Sequence, residues 1–255
     1  MPQLPTLVQL LESGLHFGHR RSRRHPKMEP FLFSTKNDLS VIDVRKTLSA
    51  LEAALAAIVR IAEQGGTLLC VGTKKQAQAA VKKCAEETGQ PYVVNRWLGG
   101  TLTNFSVISK MIKKYHSLKG RQASGELQKY TKKEQLEQTR EIDELDTLIG
   151  GIQRLTALPD ALFVVDINHD STAVKEARKK HIPIIALCDA NVNPELVTFP
   201  IPGNDDARKS IDLILRLVSE SYQEGAAKRA AHKLEKSEPA QVVAAPTVLA
   251  SGVTL

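Results

Sequence analysis

The stretch HFGHRRSRRHPK, residues 16–27, gathers three histidines, four arginines and one lysine without an acid. Side chains of these types serve three chemistries: they ligate metals, they move protons, or they grip anions. His16 and His19 stand three apart, a spacing that can place two imidazoles on one helical face for zinc. Gly18 lies between them, however, and no cysteine or carboxylate sits near enough in sequence to close a ligand set. Only ligands from far along the chain could complete such a site, and no metal is expected. No nucleophile with a paired base is visible either, so no catalytic residue is expected. An anion is the partner that remains.

Two other places invite chemistry. CVGTKKQ, residues 70–76, passes from an apolar run into a helical pattern, as a phosphate-binding turn would, with Lys74 and Lys75 adding charge. Neither G-x-x-x-x-G-K-[ST] nor G-x-G-x-x-G is present, and a single glycine after a strand is ordinary turn chemistry. Asp166 and Asp189 close apolar runs, with His169 and Asp170 just beyond the first. Carboxylates at strand ends serve as bases or metal ligands in α/β enzymes. They also cap the following helix, and capping is the favoured reading. An enzyme acting on a phosphorylated compound at Asp166, Asp189 and Lys74 is the rival. It leaves the basic segments without a task.

Charge decides between them. The 255 residues carry a formal charge of +7, which makes an acidic partner the expectation. Residues 88–125 contain no Asp or Glu but six Lys and Arg, and residues 16–27 add five more. Soluble surfaces usually mix signs, so two acid-free segments point to an extended polyanion. Trp97 beside Arg96 offers an indole and a guanidinium that can stack on bases. Three well-separated cysteines without a C-x-x-C speak against a disulfide framework and for a reducing cytosol. No apolar run approaches the ~18 residues that suggest a membrane helix, and the N-terminus does not read as a signal peptide.

The elements that must position these residues alternate. A short helix is expected over 6–13, stopped by Gly14, followed by the apolar run LSVIDV. A helix with Thr47 as N-cap and Gly65 as stop comes next. TLLCVGT, PYVVN, ALFVVD and IPIIALCD read as strands, separated by KKQAQAAVKKCAEETG and STAVKEARKKH as helices, and a short apolar TFPIP precedes DDARKSIDLILRLVSESYQ, the last helix. Strands this uniformly apolar are covered on both faces, and the alternation implies a doubly wound parallel sheet. Residues 105–155 interrupt it with Phe105, Ile108, Ile112 and Tyr115 at helical spacing, then Leu145, Leu148 and Ile152. This reads as an antiparallel coiled-coil hairpin inserted in, and projecting from, a discontinuous α/β domain formed by 1–104 and 156–230. Residues 231–255 lose amphipathic period, and a disordered tail is expected.

In order and spacing, GLHFGHR, HPKMEPFLF, VGTKKQA, NRWLGGTLTN, TKKE, LGGI, LPDALFVVD, IPIIALCD and IPGNDDA resemble the bacterial small-subunit ribosomal protein S-two family over about residues 10–225. The resemblance implies a flavodoxin-like α/β domain of about five strands and no enzymatic role, cofactor, small-molecule substrate or membrane. It implies cytoplasmic, ribosome-bound protein, contact with 16S rRNA and neighbouring ribosomal proteins, and help in docking the messenger-binding protein S-one. Where the family continues with an aromatic and NPKM, this chain has Arg24 and His25. Arg20, Arg21, Arg23, Arg24 and Lys27 are the expected phosphate contacts. His16, His19, Lys36, Lys74, Lys75, Asn95, Arg96, Trp97 and Asn104 follow. Glu134, Glu137, Glu141 and Glu144 on the hairpin are expected to dock protein. A free-standing regulator binding RNA or DNA outside the ribosome is a third reading.

Overall fold

In the computed structural model, which describes residues 4–237, the chain opens with helix α1 (Leu7–Glu12). Thr6 and Gln9 form a reciprocal capping box there. Strands β1 (Phe17–Arg20), β2 (Leu32–Lys36) and β3 (Leu39–Ile42) make an antiparallel sheet in the order β1-β3-β2. Asn37 and Asp38, at φ of 50° and 64°, supply the two left-handed residues of its tight β2–β3 turn. Helix α2 (Val44–Gln64), strand β4 (Leu68–Val71), helix α3 (Gln78–Thr88) and strand β5 (Tyr92–Val93) follow. Then come α4 (Phe105–Ala123), α5 (Lys132–Ile149), β6 (Ala161–Val164), α6 (Ser171–Lys179), β7 (Ile184–Cys188), β8 (Phe199–Pro202) and α7 (Arg208–Ser237).

Strands β4 to β8 form a parallel sheet in the order β5-β4-β6-β7-β8. Counted within this sheet the order is 2-1-3-4-5, the flavodoxin-like arrangement. Every residue of β4, β6 and β7 is buried, which explains why their sequences read as continuous apolar runs. Alternate residues feed two cores. On one face Leu68, Cys70, Phe163 and Leu187 pack with Leu51 and Ile58 of α2, Val81 of α3 and Ile214 and Val218 of α7. At Gly225 of α7 an added Cβ would stand 2.4 Å from the Val59 carbonyl oxygen, so α2 and α7 meet almost backbone to backbone. On the other face Leu69, Val71, Leu162 and Val164 pack with Ala173 and Val174 of α6.

The second core also contains Ile108, Ile112 and Tyr115 of α4 and Ile142 and Ile149 of α5. The insertion is therefore anchored: its base belongs to the core of the sheet, and the picture of an arm that merely projects is corrected. Alongside these buried residues, α4 and α5 are joined by ion pairs of Lys114 with Glu141 and Lys119 with Asp146.

Several helix boundaries differ from expectation; α3, for one, starts at Gln78 and not at Lys74. Helix α2 starts at Val44, because the Asp43 carboxylate accepts the Arg45 N–H at 3.0 Å and so takes the cap foreseen for Thr47. Thr47 instead lies one turn inside, its hydroxyl donating to the Pro202 carbonyl at 2.8 Å. Helix α7 continues to Ser237, past residue 231, where the tail is expected to begin. The rest of the expected tail, 238–255, lies outside the described residues.

Truncating the buried Ile112 to Ala should cost about 2–5 kcal/mol, as core deletions of this size do. The same change at exposed Leu136 should stay within about 0.5 kcal/mol. Urea unfolding of the two variants checks the assignment; equal costs would detach the insertion from the core.

Candidate nucleic-acid interface

Strand β1 is fastened to the parallel sheet by one carboxylate. Asp189, 1% exposed at the end of β7, accepts the His19 backbone N–H at 3.1 Å, and its second oxygen lies 3.0 Å from His19 Nδ1. The close approach needs Gly18, where a Cβ would fall 3.0 Å from the Ser40 carbonyl oxygen and 3.3 Å from Asp189 Oδ1. His25 donates its backbone N–H to the Ala190 carbonyl at 2.8 Å, and its Nδ1 accepts the Lys27 N–H to cap the next turn. The basic segment is thus pinned at both ends against the turn after β7.

Between the pins the arginines face outward. Arg20, Arg21 and Arg23 are exposed, and none of the ion pairs among the described residues involves them. Arg24 is different: half-buried, it pairs with Glu29 at 2.9 Å. Lys27 pairs with Glu195. Lys36 is exposed at the end of β2. The same small sheet displays Phe17, 50% exposed, and Phe33, 67% exposed, aromatic rings that the sequence reading passed over. Their signal was present: Phe17 adjoins the basic run, and Phe33 stands in a strand with no apolar neighbour after it. His16 packs against Phe17 with ring centroids 4.0 Å apart, and burial lowers its pKa.

Lys74 points the other way. Its ammonium lies 2.8 Å from Asp205, 2.6 Å from Asp206 and 3.3 Å from Asp166. Burial pulls its pKa down, but the hydrogen bonds to Asp205 and Asp206 prevail and hold it above its ordinary value. Burial, with Asp166 and Asp189 nearby, pushes Asp205 up to about 7 against the opposing pull of Lys74. The Asp189 hydrogen bond raises His19, opposed by burial. The neighbouring turn is filled as well. Thr73 donates its backbone N–H and its hydroxyl to Asp170 at 3.2 and 2.7 Å, so an internal carboxylate occupies the anion position of CVGTKKQ. Asp166 accepts the N–H groups of Asn168 and His169 at 2.8 and 3.0 Å, which closes the turn before α6; it does not cap the helix as expected, because Asp170 stands at the N-cap position. Lys75 remains exposed.

The loop NRWLGGTLTN wraps around another buried carboxylate. Glu176 of α6 accepts hydrogen bonds from Trp97 Nε1 at 3.1 Å, from the backbone N–H groups of Gly100, Leu102 and Thr103 at 2.8–3.0 Å, and from the Thr103 hydroxyl at 3.1 Å. Burial raises its pKa, but these donors prevail and leave the carboxyl below its ordinary range. Trp97 is therefore a core residue, 8% exposed, and the stacking expected of it is corrected: a base could reach it only by unpacking the loop. Arg96 and Asn104 stay exposed on the loop, and Asn95 donates to the Thr147 carbonyl at 2.8 Å. Of the hairpin acids, Glu134 closes the α5 capping box with Thr131, Glu141 pairs with Lys114, Glu137 lies 4.0 Å from Lys133 and Glu144 is exposed.

Glu176→Gln would set an amide N–H₂ against backbone donors, leaving buried N–H groups unpaired at about 1–3 kcal/mol. Because the folded pKa of Glu176 is depressed, its stabilisation is present above the ordinary glutamate range near 4.5 and is lost as pH falls through the folded value. The wild-type chain should lose stability on that descent more steeply than Glu176→Gln. Parallel denaturation profiles of the two from pH 6 to pH 3 would refute this role of the carboxylate.

Residues 10–225 match the family model described as ribosomal protein S2. The chain is 42% identical over 257 residues to the small ribosomal subunit protein uS2 of Corynebacterium diphtheriae, covering 96% of this chain and 97% of that one. It is 46% identical over 221 residues to the uS2 of Fusobacterium nucleatum, with 86% and 90% covered, and 46% identical over 224 residues to that of Chlorobaculum tepidum, with 88% and 90% covered.

Proposed function

The chain belongs to the ribosomal protein S2 family, and from that premise we propose that it is a structural, non-catalytic constituent of the small ribosomal subunit that grips 16S rRNA through the β1–β3–β2 sheet and the segment leading from it. The observation that carries the reading is the division of charge. Asp166, Asp189, Asp205 and Glu176 are turned inward onto protein donors, while Arg20, Arg21 and Arg23 face solvent without an acidic partner among the described residues. Three outward guanidinium groups beside exposed Phe17 and Phe33 combine phosphate contact with stacking surface. Lys36, Lys75, Arg96 and Asn104 extend the basic surface.

Arg24 and Lys27 rank below the other three because each already has a carboxylate partner. His19 and Lys74 act as fasteners behind the surface. The exposed acids Glu134, Glu137 and Glu144 on α5 form a face for neighbouring small-subunit proteins, and the protein so held takes part in docking S-one. The working location that follows is the cytoplasm, on the ribosome.

Filter binding of the purified chain to 16S rRNA across a salt series tests the reading. Replacing Arg21 and Arg23 by Ala should reduce the log–log salt slope by roughly 0.7–0.9 unit per lost phosphate contact, whereas Arg24→Ala should change it less. Phe33→Ala should weaken binding by about 1–3 kcal/mol with an unchanged slope. A slope unaffected by Arg21→Ala/Arg23→Ala would remove this sheet from the RNA surface.

A further inference from the structure

The end of α6 carries a second set of cations. After Thr172 every exposed residue of this helix is basic, namely Lys175, Arg178 and Lys179, and exposed Lys180 and His181 follow directly. Glu176, the only acid in the helix, is turned inward onto the NRWLGGTLTN loop, and Asp170 at the N-cap is buried. None of the five cationic side chains has an ion pair or a hydrogen bond among the described residues. Lys175 stands three and four residues from Arg178 and Lys179, spacings at which like charges weaken a helix. The helix dipole favours Arg178 and Lys179 in the last turn, but it gives no reason for Lys175 or His181.

The backbone adds an independent sign. The His181 N–H donates to the Arg178 carbonyl at 3.1 Å, and the Ile182 N–H to the Ala177 carbonyl at 3.0 Å. These two bonds close the helix in a Schellman motif, with His181 left-handed at φ 56°. Glycine is the ordinary occupant of that position, and any other L-residue there opposes its own steric preference. An imidazole is held at the rim of the cationic patch at the expense of stability.

The patch is remote from the β1–β3–β2 sheet. Strands β6 and β7 are parallel, so α6 returns from the C-terminal edge of the sheet to its N-terminal edge. Strand β1 and its arginines are held at the opposite edge, where Asp189 ends β7. The nine residues of α6 alone span about 14 Å, beyond the ~8 Å over which physiological salt screens charge. Arg154, also exposed, precedes β6, the strand beside β7, and its neighbour Leu155 shares a core with Ile182.

We propose that Lys175, Arg178, Lys179, Lys180 and His181, with Arg154 nearby, form a second contact for an RNA backbone, so that the chain ties together two stretches of RNA from opposite edges of its parallel sheet. The proposal rests on the reading of the chain as an rRNA-binding constituent of the small subunit. Lysine is depleted in interfaces between proteins, whereas Lys and Arg supply most contacts to phosphates. Closely spaced cations without an acid among them match the dense, regular charge of a nucleic-acid backbone. An acidic protein at this patch is the alternative that the test excludes or reveals.

The full chain is titrated with a short fluorescent RNA duplex, too small to reach both edges, across a salt series. The wild type should bind two duplexes. Lys179→Gln/Lys180→Gln should bind one, with the log–log salt slope reduced by about 0.9 unit per lost phosphate contact. Lys82→Gln/Lys83→Gln on α3, with side chains 54% and 78% exposed, makes the same change in net charge elsewhere and should keep both duplexes. His181→Gly should move two readouts in opposite directions, raising Tm by about 2–4 °C through relief of the left-handed residue while weakening RNA binding. A wild-type stoichiometry and slope in Lys179→Gln/Lys180→Gln, or an equal loss in the α3 control, overturns the second contact. Failure of the β1–β3–β2 reading is a separate result, a wild-type slope in Arg21→Ala/Arg23→Ala.

Discussion

A buried carboxylate must be answered by donors, and much of this molecule is arranged around that requirement. Glu176 gathers the N–H groups of one loop, Asp170 takes the N–H and the hydroxyl of Thr73 in a second, and Asp189 draws a whole strand onto the end of β7. Removing any of these acids would free several buried donors at once, so each holds a stretch of backbone that has little regular structure of its own. The hydrophobic cores position the helices on the sheet. The carboxylates position the loops on the helices and strands.

This division explains the surface. A chain with 28 acids against 35 bases would ordinarily intersperse them. Here Asp166, Asp189, Asp205 and Glu176 are buried, and the bases of β1 and the following turn are left outward. The fixed geometry matters as much as the charge. Arg20, Arg21 and Arg23 lie on a segment pinned at His19 and at His25, so less conformational freedom remains to be lost when phosphates bind.

Much of the fold was legible because it rests on local pattern. The apolar runs of β4, β6 and β7 and the glycine stop at Gly65, φ 76°, are signals carried by adjacent residues. The antiparallel sheet was not legible: β1 is four residues long, contains Gly18 and has no buried position. Its stability comes from β3 and from Asp189, 170 residues away from His19. Composition also misled about Trp97 and Lys74. An indole beside Arg96 reads as a stacking platform until Glu176, 79 residues on, is seen to claim its N–H. A lysine after a strand reads as a phosphate ligand until three acids converge on it. The clasp on β1, the cage around Glu176 and the insertion's share of the core are all long-range pairings, which periodicity cannot report.

The central claim is that the β1–β3–β2 sheet and the turn after β1 meet rRNA while the carboxylate clusters stay inside the protein. Ultraviolet cross-linking of small subunits that contain this chain, followed by sequencing of the RNA-linked peptides, tests it most directly. The account predicts linked residues within 17–36, with Phe17 and Phe33 foremost and Trp97 absent. Cross-links confined to other segments, with none between residues 17 and 36, would contradict it.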